Sequence, residues 1–231
     1  MKPTLLLITG WAHSKESLQP LADSFSAEFQ PLILTSAEIL NQKKIPDAAY
    51  IIAHSMGGLL AIEHLPKTCK KLILLSSTAC FCATKEYPFG VAKPILRRMI
   101  RQFKSEPNQV LNTFFENTHY PDQLPEPQND FPSEENLLLG LEYLQNTDLR
   151  IQIPKLSIPV LLLHGTRDQI IPFTASEWLN QHLPNSTLHL FQEAGHALVT
   201  HQFDEVKEKI ESFLSKKQTS FGDCFGYFRT T

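Results

Sequence analysis

No apolar run in this sequence is long enough to cross a membrane, and its first residues carry no secretory leader pattern. A cytoplasmic protein with no membrane partner is expected. Excess charge is lacking too. Lys and Arg total 21 against 24 Asp and Glu, and a net charge of −3 offers nothing to draw the chain onto nucleic acid. Cysteine is scarce: Cys69, Cys80, Cys82 and Cys224 are the full set, and Cys80-x-Cys82 alone is a weak sign of a metal or redox pair. Free thiols are expected. His64, His119, His182, His189 and His201 show no metal-ligand spacing, so neither a metal nor a cofactor is expected. The chain has 231 residues, 42% of them hydrophobic, enough for a sizeable core in one compact domain with a modest insertion.

Against that plain background three short motifs stand out. Ala53-His54-Ser55-Met56-Gly57 is one methyl group away from G-x-S-x-G, with Ala53 at its first glycine. Leu162-Leu163-His164-Gly165-Thr166-Arg167-Asp168 ends an apolar run, and Ala194-Gly195-His196-Ala197 follows another. Nucleophile, acid and base in the chain order Ser55, Asp168, His196 is the order of α/β-hydrolases; other triad enzymes use different orders. The apolar run Ala48–Ala53 predicts a buried strand that turns at once into a helix, exposing the Ser55 hydroxyl and aiming the Met56 N–H at the same space. A second N–H for an oxyanion is expected from the loop after strand Thr4–Thr9, at Trp11 in Gly10-Trp11-Ala12-His13. The Trp11 side chain either walls an acyl pocket or is a half-buried loop aromatic. Asp168 either accepts from the His196 imidazole or caps a helix opening near Pro172. By position, His13 lines the oxyanion loop, His164 is structural, and His54 faces away from the nucleophile.

Strands and helices alternate as parallel βαβ units require. A helix is expected over Lys15–Ser26, then a strand at Pro31–Leu34. Thr35-Ser36-Ala37-Glu38 reads as a capping box opening a short helix to about Lys43. Lys71–Ser77 predicts another buried strand, and the last helix is expected over Val199–Leu214. Residues 81–150 break the alternation and read as a helical cap. Pro94 opens an amphipathic helix with Leu96, Met99, Ile100 and Phe103 on one face and Arg97, Arg98, Arg101 and Lys104 largely on the other. A second cap helix is expected near Pro107–Asn117 and a third after Ser133, separated by a proline-rich acidic loop at Tyr120–Pro132. Residues 215–231 have no period and are expected to form a loosely held tail.

The sequence resembles the pimeloyl-acyl-carrier-protein methyl ester esterases of biotin synthesis. The resemblance covers most of residues 4–214, from Gly10-Trp11 through the Ser55 elbow to Asp168 and His196. It is most specific at Ser76-Ser77-Thr78-Ala79-Cys80-Phe81 and at Gly140–Arg150, the stretches flanking the cap. It implies an α/β-hydrolase fold, with a mostly parallel sheet, helices on both faces and a helical cap. It also implies hydrolysis of a pimeloyl methyl ester carried on acyl carrier protein, through an acyl-enzyme on Ser55. Trp11 and Phe114 match positions where the family sets aromatic residues near the acyl chain. The family's cap arginines align with uncharged residues near Gln109 and Thr113. The face carrying Arg97, Arg98, Arg101 and Lys104 either replaces them in docking the carrier protein or is a solvated helix face. The chain also departs from the family in lacking a leading hairpin, in a short segment at residues 36–47, and at Ala53. Two other readings stay open: a general carboxylesterase or acyl thioesterase, and a non-catalytic ligand sensor on a hydrolase fold. A dehalogenase would need Asp where Ser55 stands.

Overall fold

The computed structural model describes residues 2–125 and 131–216. Six strands, β1 (Thr4–Ile8), β2 (Gln30–Leu34), β3 (Tyr50–His54), β4 (Lys71–Leu75), β5 (Val160–Gly165) and β6 (Ser186–Phe191), form one parallel sheet. Their order is β2-β1-β3-β4-β5-β6. The central strands read as continuous apolar runs because both faces are covered; every residue of β4 and β5 is buried. Alternate side chains feed two cores. Leu6, Ile8, Ile51, Leu72 and Leu162 point to one, and Leu5, Leu7, Ile52, Ile73 and Leu163 to the other. The first core receives α2 (Ser36–Gln42), α3 (Met56–Glu63) and α7 (Thr174–His182); the second receives α1 (Gln19–Ser24), α8 (Leu198–His201) and α9 (Phe203–Ser215).

The sheet order creates the site. From β1 the chain moves outward to β2, then crosses back to β3 on the other side of β1. Loops leaving β1 and β3 therefore diverge and open a crevice at the carboxyl edge, where ligands of open α/β sheets bind. Between β4 and β5, α4 (Lys93–Phe103), α5 (Pro107–His119) and α6 (Glu134–Asn146) form the expected helical insertion. Its two ends are tied together: Leu149 N–H donates to the Ala79 carbonyl at 2.9 Å, and Cys80 bridges to Asp148. The two stretches that carried the family resemblance are thus neighbours at the base of the insertion.

Several expectations are corrected. The helix expected over Lys15–Ser26 is a 3₁₀ turn, Lys15–Ser17, followed by α1, because Pro20 sits in the first turn of α1 and restarts the helix there. The last helix is broken at Gln202, whose φ of −128° is not helical, into α8 and α9. The capping box is as read: the Thr35 hydroxyl accepts from Glu38 N–H at 3.2 Å, and a Glu38 carboxylate oxygen accepts from Thr35 N–H at 2.7 Å. Cys69, Cys80 and Cys82 are buried free thiols. Cys80 Sγ donates to the Cys82 carbonyl and Cys82 Sγ to the Leu144 carbonyl, so the two do not pair. No helix among the described residues is long and apolar enough to cross a membrane. Cys224, most of the expected tail and residues 126–130 of the acidic loop lie outside the described residues.

Candidate active site

Ser55 sits between β3 and α3 with φ 56° and ψ −122°, a left-handed conformation that costs a non-glycine residue of order 1–3 kcal/mol. Its neighbours hold it there. Ser55 N–H donates to the Leu75 carbonyl at 2.9 Å, and the Ser55 carbonyl accepts from Gly58 N–H at 2.9 Å and from Ser77 Oγ at 2.8 Å. Gly57 is required by crowding: a Cβ there would stand 2.7 Å from the Thr9 carbonyl oxygen. Ala53, the departure from G-x-S-x-G, is fully buried in the first core, where its methyl group packs.

The pairing register places the two expected oxyanion donors at the same level past neighbouring strands. Ile8 of β1 pairs with Ala53 of β3, so Trp11 and Met56 each lie three residues beyond that pair. The Met56 N–H opens a helix, where the first backbone donors have no intrahelical partner. Neither it nor the Trp11 N–H makes a hydrogen bond among the described residues. The Trp11 loop is pinned by three bonds: Ser36 Oγ to the Gly10 carbonyl (3.0 Å), Thr9 Oγ1 to the His13 carbonyl (3.0 Å), and His13 Nδ1 to the Trp11 carbonyl (2.8 Å). The indole is buried, with Nε1 donating to the Leu137 carbonyl of α6 at 2.8 Å.

Asp168 and His196 meet at the ends of β5 and β6. Gly165 lets them do so, because a side chain there would collide with the Ala194 and Gly195 carbonyls. The loops are zipped further by Arg167 N–H to the Ala194 carbonyl and Thr166 N–H to the Phe191 carbonyl. His196 Nδ1 donates to Asp168 Oδ2 at 2.7 Å, and neither side chain is exposed. The second carboxylate oxygen, Oδ1, accepts from Ile170 N–H (2.7 Å) and Ile171 N–H (2.9 Å). Asp168 thus accepts from His196 on one oxygen, and the helix-capping alternative is corrected: the other oxygen closes the turn at Ile170–Ile171, while α7 starts at Thr174 after Phe173 with no side-chain cap. Burial alone would push this carboxyl up, but the two imidazoles beside it, His196 and His164, hold it well below the usual carboxylate range.

His196 Nε2, the atom that would take a serine proton, is buried and unpartnered among the described residues. The Ser55–His196 hydrogen bond is thus open in this structure, as such bonds often are without substrate. Other imidazoles crowd around the base. The His54 ring does not turn away from the site: its centroid is 4.8 Å from that of His196, and Nε2 donates to the His196 carbonyl at 3.3 Å. Ser76 Oγ donates to the same carbonyl at 3.0 Å. His13 packs edge-on to His54, and His119 Nδ1 lies 2.8 Å from His201 Nε2. Burial lowers His13 to about 4 and His54 well below its usual value, and burial with the His201 and His196 charges lowers His119 to about 4.

Ser55 opens into a cavity of about 360 Å³. Trp11, Phe114, Leu96 and Leu141 are among its apolar walls, and Arg98 and Gln102 of α4 supply polar groups. Trp11 and Phe114 meet edge to face with centroids 4.7 Å apart. Arg97, Arg98 and Arg101 of α4 and Lys104 just beyond it are all exposed, and of these four only Arg98 lines this cavity.

Residues 10–202 match the family model described as serine aminopeptidase, S33. The chain belongs to that α/β-hydrolase family. The hydrolase is 28% identical over 224 residues to a pimeloyl-[acyl-carrier protein] methyl ester esterase of Nitrosomonas europaea, covering 84% of this chain and 89% of the relative. It is 31% identical over 181 residues to the protein of the same name from Neisseria meningitidis, covering 73% of this chain and 70% of the relative. In fold it is similar to an esterase from Exiguobacterium antarcticum, with a TM-score of 0.80 at 21% identity over 93% of this chain and 92% of that one. The hydrolase is a carboxylic ester hydrolase.

Sequence reasoning missed two contacts in this site. His54 was visible only as the residue before Ser55, and strand alternation says which face it takes without saying that His196 packs there. His164 carries a signal in its spacing, four residues ahead of Asp168. Its ring nitrogen Nε2 stands 3.0 Å from Asp168 Oδ2.

Proposed function

We propose that the hydrolase cleaves the methyl ester of a pimeloyl chain carried on acyl carrier protein, a cytoplasmic step of biotin synthesis, with Ser55 as nucleophile, His196 as base and Asp168 as acid. The observation that carries this reading is Ser55, in its strained turn, opening onto an apolar cavity with an arginine in its wall. The relatives named for this reaction supply the substrate class. A pimeloyl chain is an apolar methylene run that fits aromatic and leucine walls, and its far end leads to an acidic protein.

In this mechanism, entry of the ester brings the Ser55 hydroxyl to His196 Nε2, which takes its proton as Oγ attacks the ester carbonyl. Asp168, ionised and held by its turn, fixes the Nδ1–H tautomer and stabilises the imidazolium. The oxyanion forms between the Trp11 and Met56 N–H groups, where loss of one donor typically costs about 10²–10³ in turnover. His196 returns the proton to the methoxy oxygen and methanol leaves. Water, deprotonated by His196, then attacks the acyl carbonyl; as the acyl–Oγ bond breaks, His196 returns the proton to Ser55 Oγ and the carboxylate is freed. Trp11 and Phe114 line the acyl channel. Arg97, Arg101 and Lys104 on the outer side of α4, with Arg98 at the cavity, form the docking face for the carrier protein.

The test is methanol release from pimeloyl-acyl-carrier-protein methyl ester by wild-type and Ser55→Ala protein. Turnover is expected to be rapid in the wild type and to fall by about 10⁴ or more in the variant. Turnover of p-nitrophenyl esters without any on the carrier-bound ester would move the function to a general carboxylesterase. Wild-type protein that binds esters and turns over none would be a sensor.

A further inference from the structure

We propose that His164 is a positioning residue for the Asp168–His196 pair: it braces the carboxylate oxygen that accepts from His196 and sets how strongly that oxygen holds the base. This rests on the reading of Asp168 and His196 as acid and base.

The geometry leaves little freedom. His164 lies on β5 and is wholly buried. Its Nε2 stands 3.0 Å from Asp168 Oδ2 and 2.9 Å from the Ile171 carbonyl oxygen. A carbonyl and an ionised carboxylate can only accept, so Nε2 carries the ring proton. Oδ2 therefore faces two imidazole nitrogens, His196 Nδ1 and His164 Nε2, while Oδ1 is occupied by two backbone donors. The turn at Ile170–Ile171 is held from both sides, its N–H groups by Asp168 and its Ile171 carbonyl by His164.

The other ring nitrogen points back toward the nucleophile. His164 Nδ1 lies 2.6 Å from Ser176 Oγ of α7, and Ser176 Oγ lies 3.4 Å from the Ser77 carbonyl oxygen. Ser77 Oγ donates to the Ser55 carbonyl. With Nε2 protonated, Nδ1 accepts the one Ser176 hydroxyl proton, so the hydrogen-bonded chain runs from Asp168 through His164 to Ser176, with the Ser77 carbonyl in contact beyond it.

The chemical consequence has a sign. A positive N–H edge beside Oδ2 drains part of the negative potential that Oδ2 offers to His196. Removing it makes His196 hold its proton to higher pH, so the acid limb of kcat/KM moves up. The other titratable groups facing the pair do not mask this. They are His54 from β3, His13 from the β1 loop and His119 from α5, all with lowered values. Arg167, beside Asp168 in sequence, is turned outward to Glu193 at 2.9 Å.

The experiment measures kcat/KM for a p-nitrophenyl ester from pH 5 to 9 in wild type, His164→Leu, His164→Gln and His164→Asn. Active protein is counted by fluorophosphonate labelling. His164→Leu should move the acid limb up by about one pH unit, a roughly tenfold loss at a fixed pH on that limb. His164→Gln, whose amide reaches the Nε2 position, should restore it. If the Leu protein does not fold, the polar His164→Asn, whose amide stops short of Oδ2, should show the same shift against Gln. A uniform loss at every pH with the limb unmoved would overturn the proposal. Labelling that persists in Ser55→Ala would instead overturn the assignment of the nucleophile, so the two failures are distinguishable.

Discussion

At the scale of single residues, burial lowers the proton affinity of His13, His54 and His119 around the site, and that has a thermodynamic consequence. His13 is buried against Phe114, Phe115 and His54, and burial lowers it from the ordinary 6.5 to about 4. Between those two values the unfolded chain binds a proton that the folded chain refuses, so stability rises with pH across the window. Full stability is present above about pH 6.5 and is lost as pH falls toward about 4, at roughly 1.4 kcal/mol per pH unit for a single histidine. His13→Asn keeps a donor for the Trp11 carbonyl but has no such titration. Urea unfolding from pH 7 to pH 4 should therefore show a shallower acid decline for His13→Asn than for the wild type. Equal slopes would mean that His13 is already charged in the fold. That Ser55 sits in a strand-to-helix turn and that Asp168 and His196 follow successive strands was legible, because chain order and position after apolar runs are local properties. His54 and His164 were not. Each needs a partner that is distant in sequence or lies across a turn, and strand alternation carries no information about it.

At the scale of elements, the same distinction separates what could be read from what could not. The capping box of α2 and the apolar face of α4 are written in spacings of three and four residues, and both are found as read. The break in the last helix at Gln202 is not, because no proline or glycine stands there to mark it. The anchor of α9 is similarly invisible. Lys71 begins the central strand β4, yet its Nζ donates to the carbonyls of Phe213 (2.8 Å), Leu214 (2.9 Å) and Lys216 (2.6 Å). A cation there satisfies the unpaired carbonyls at the end of α9 and complements the helix dipole, while burial lowers its own affinity for a proton. Lys71→Met keeps the aliphatic stem and removes the donors. It is expected to cost about 1–3 kcal/mol in urea unfolding and to raise amide exchange in the last turn of α9 first. A loss spread evenly over the sheet, with no excess exchange in α9, would show that the lysine does not act as a cap.

At the scale of the whole molecule, the proposed function assigns chemistry and recognition to different layers. The sheet edge supplies Ser55, Asp168 and His196, and the insertion between β4 and β5 supplies most of the cavity walls, with Trp11 and Ile170 completing them from the core. The insertion is tied to the sheet at its base by the Ala79–Leu149 bond and held at its centre by Trp11 on Leu137. Charge changes on the outer side of α4 should therefore leave the chemistry alone. Arg97, Arg101 and Lys104 are exposed and do not line the cavity, whereas Arg98 does, so the separation is made by changing the first three and keeping the fourth. The triple variant Arg97→Glu, Arg101→Glu, Lys104→Glu is expected to lower kcat/KM on the carrier-bound methyl ester about tenfold or more at low salt. Turnover of p-nitrophenyl acetate, which needs no carrier protein, should change by less than about twofold. Raising salt screens exposed charges over about 3 Å at 1 M, so the gap between wild type and variant should close as salt is added. A loss shared equally by both substrates would place the effect in the fold of the insertion, and a gap indifferent to salt would assign the docking of the carrier protein to another surface.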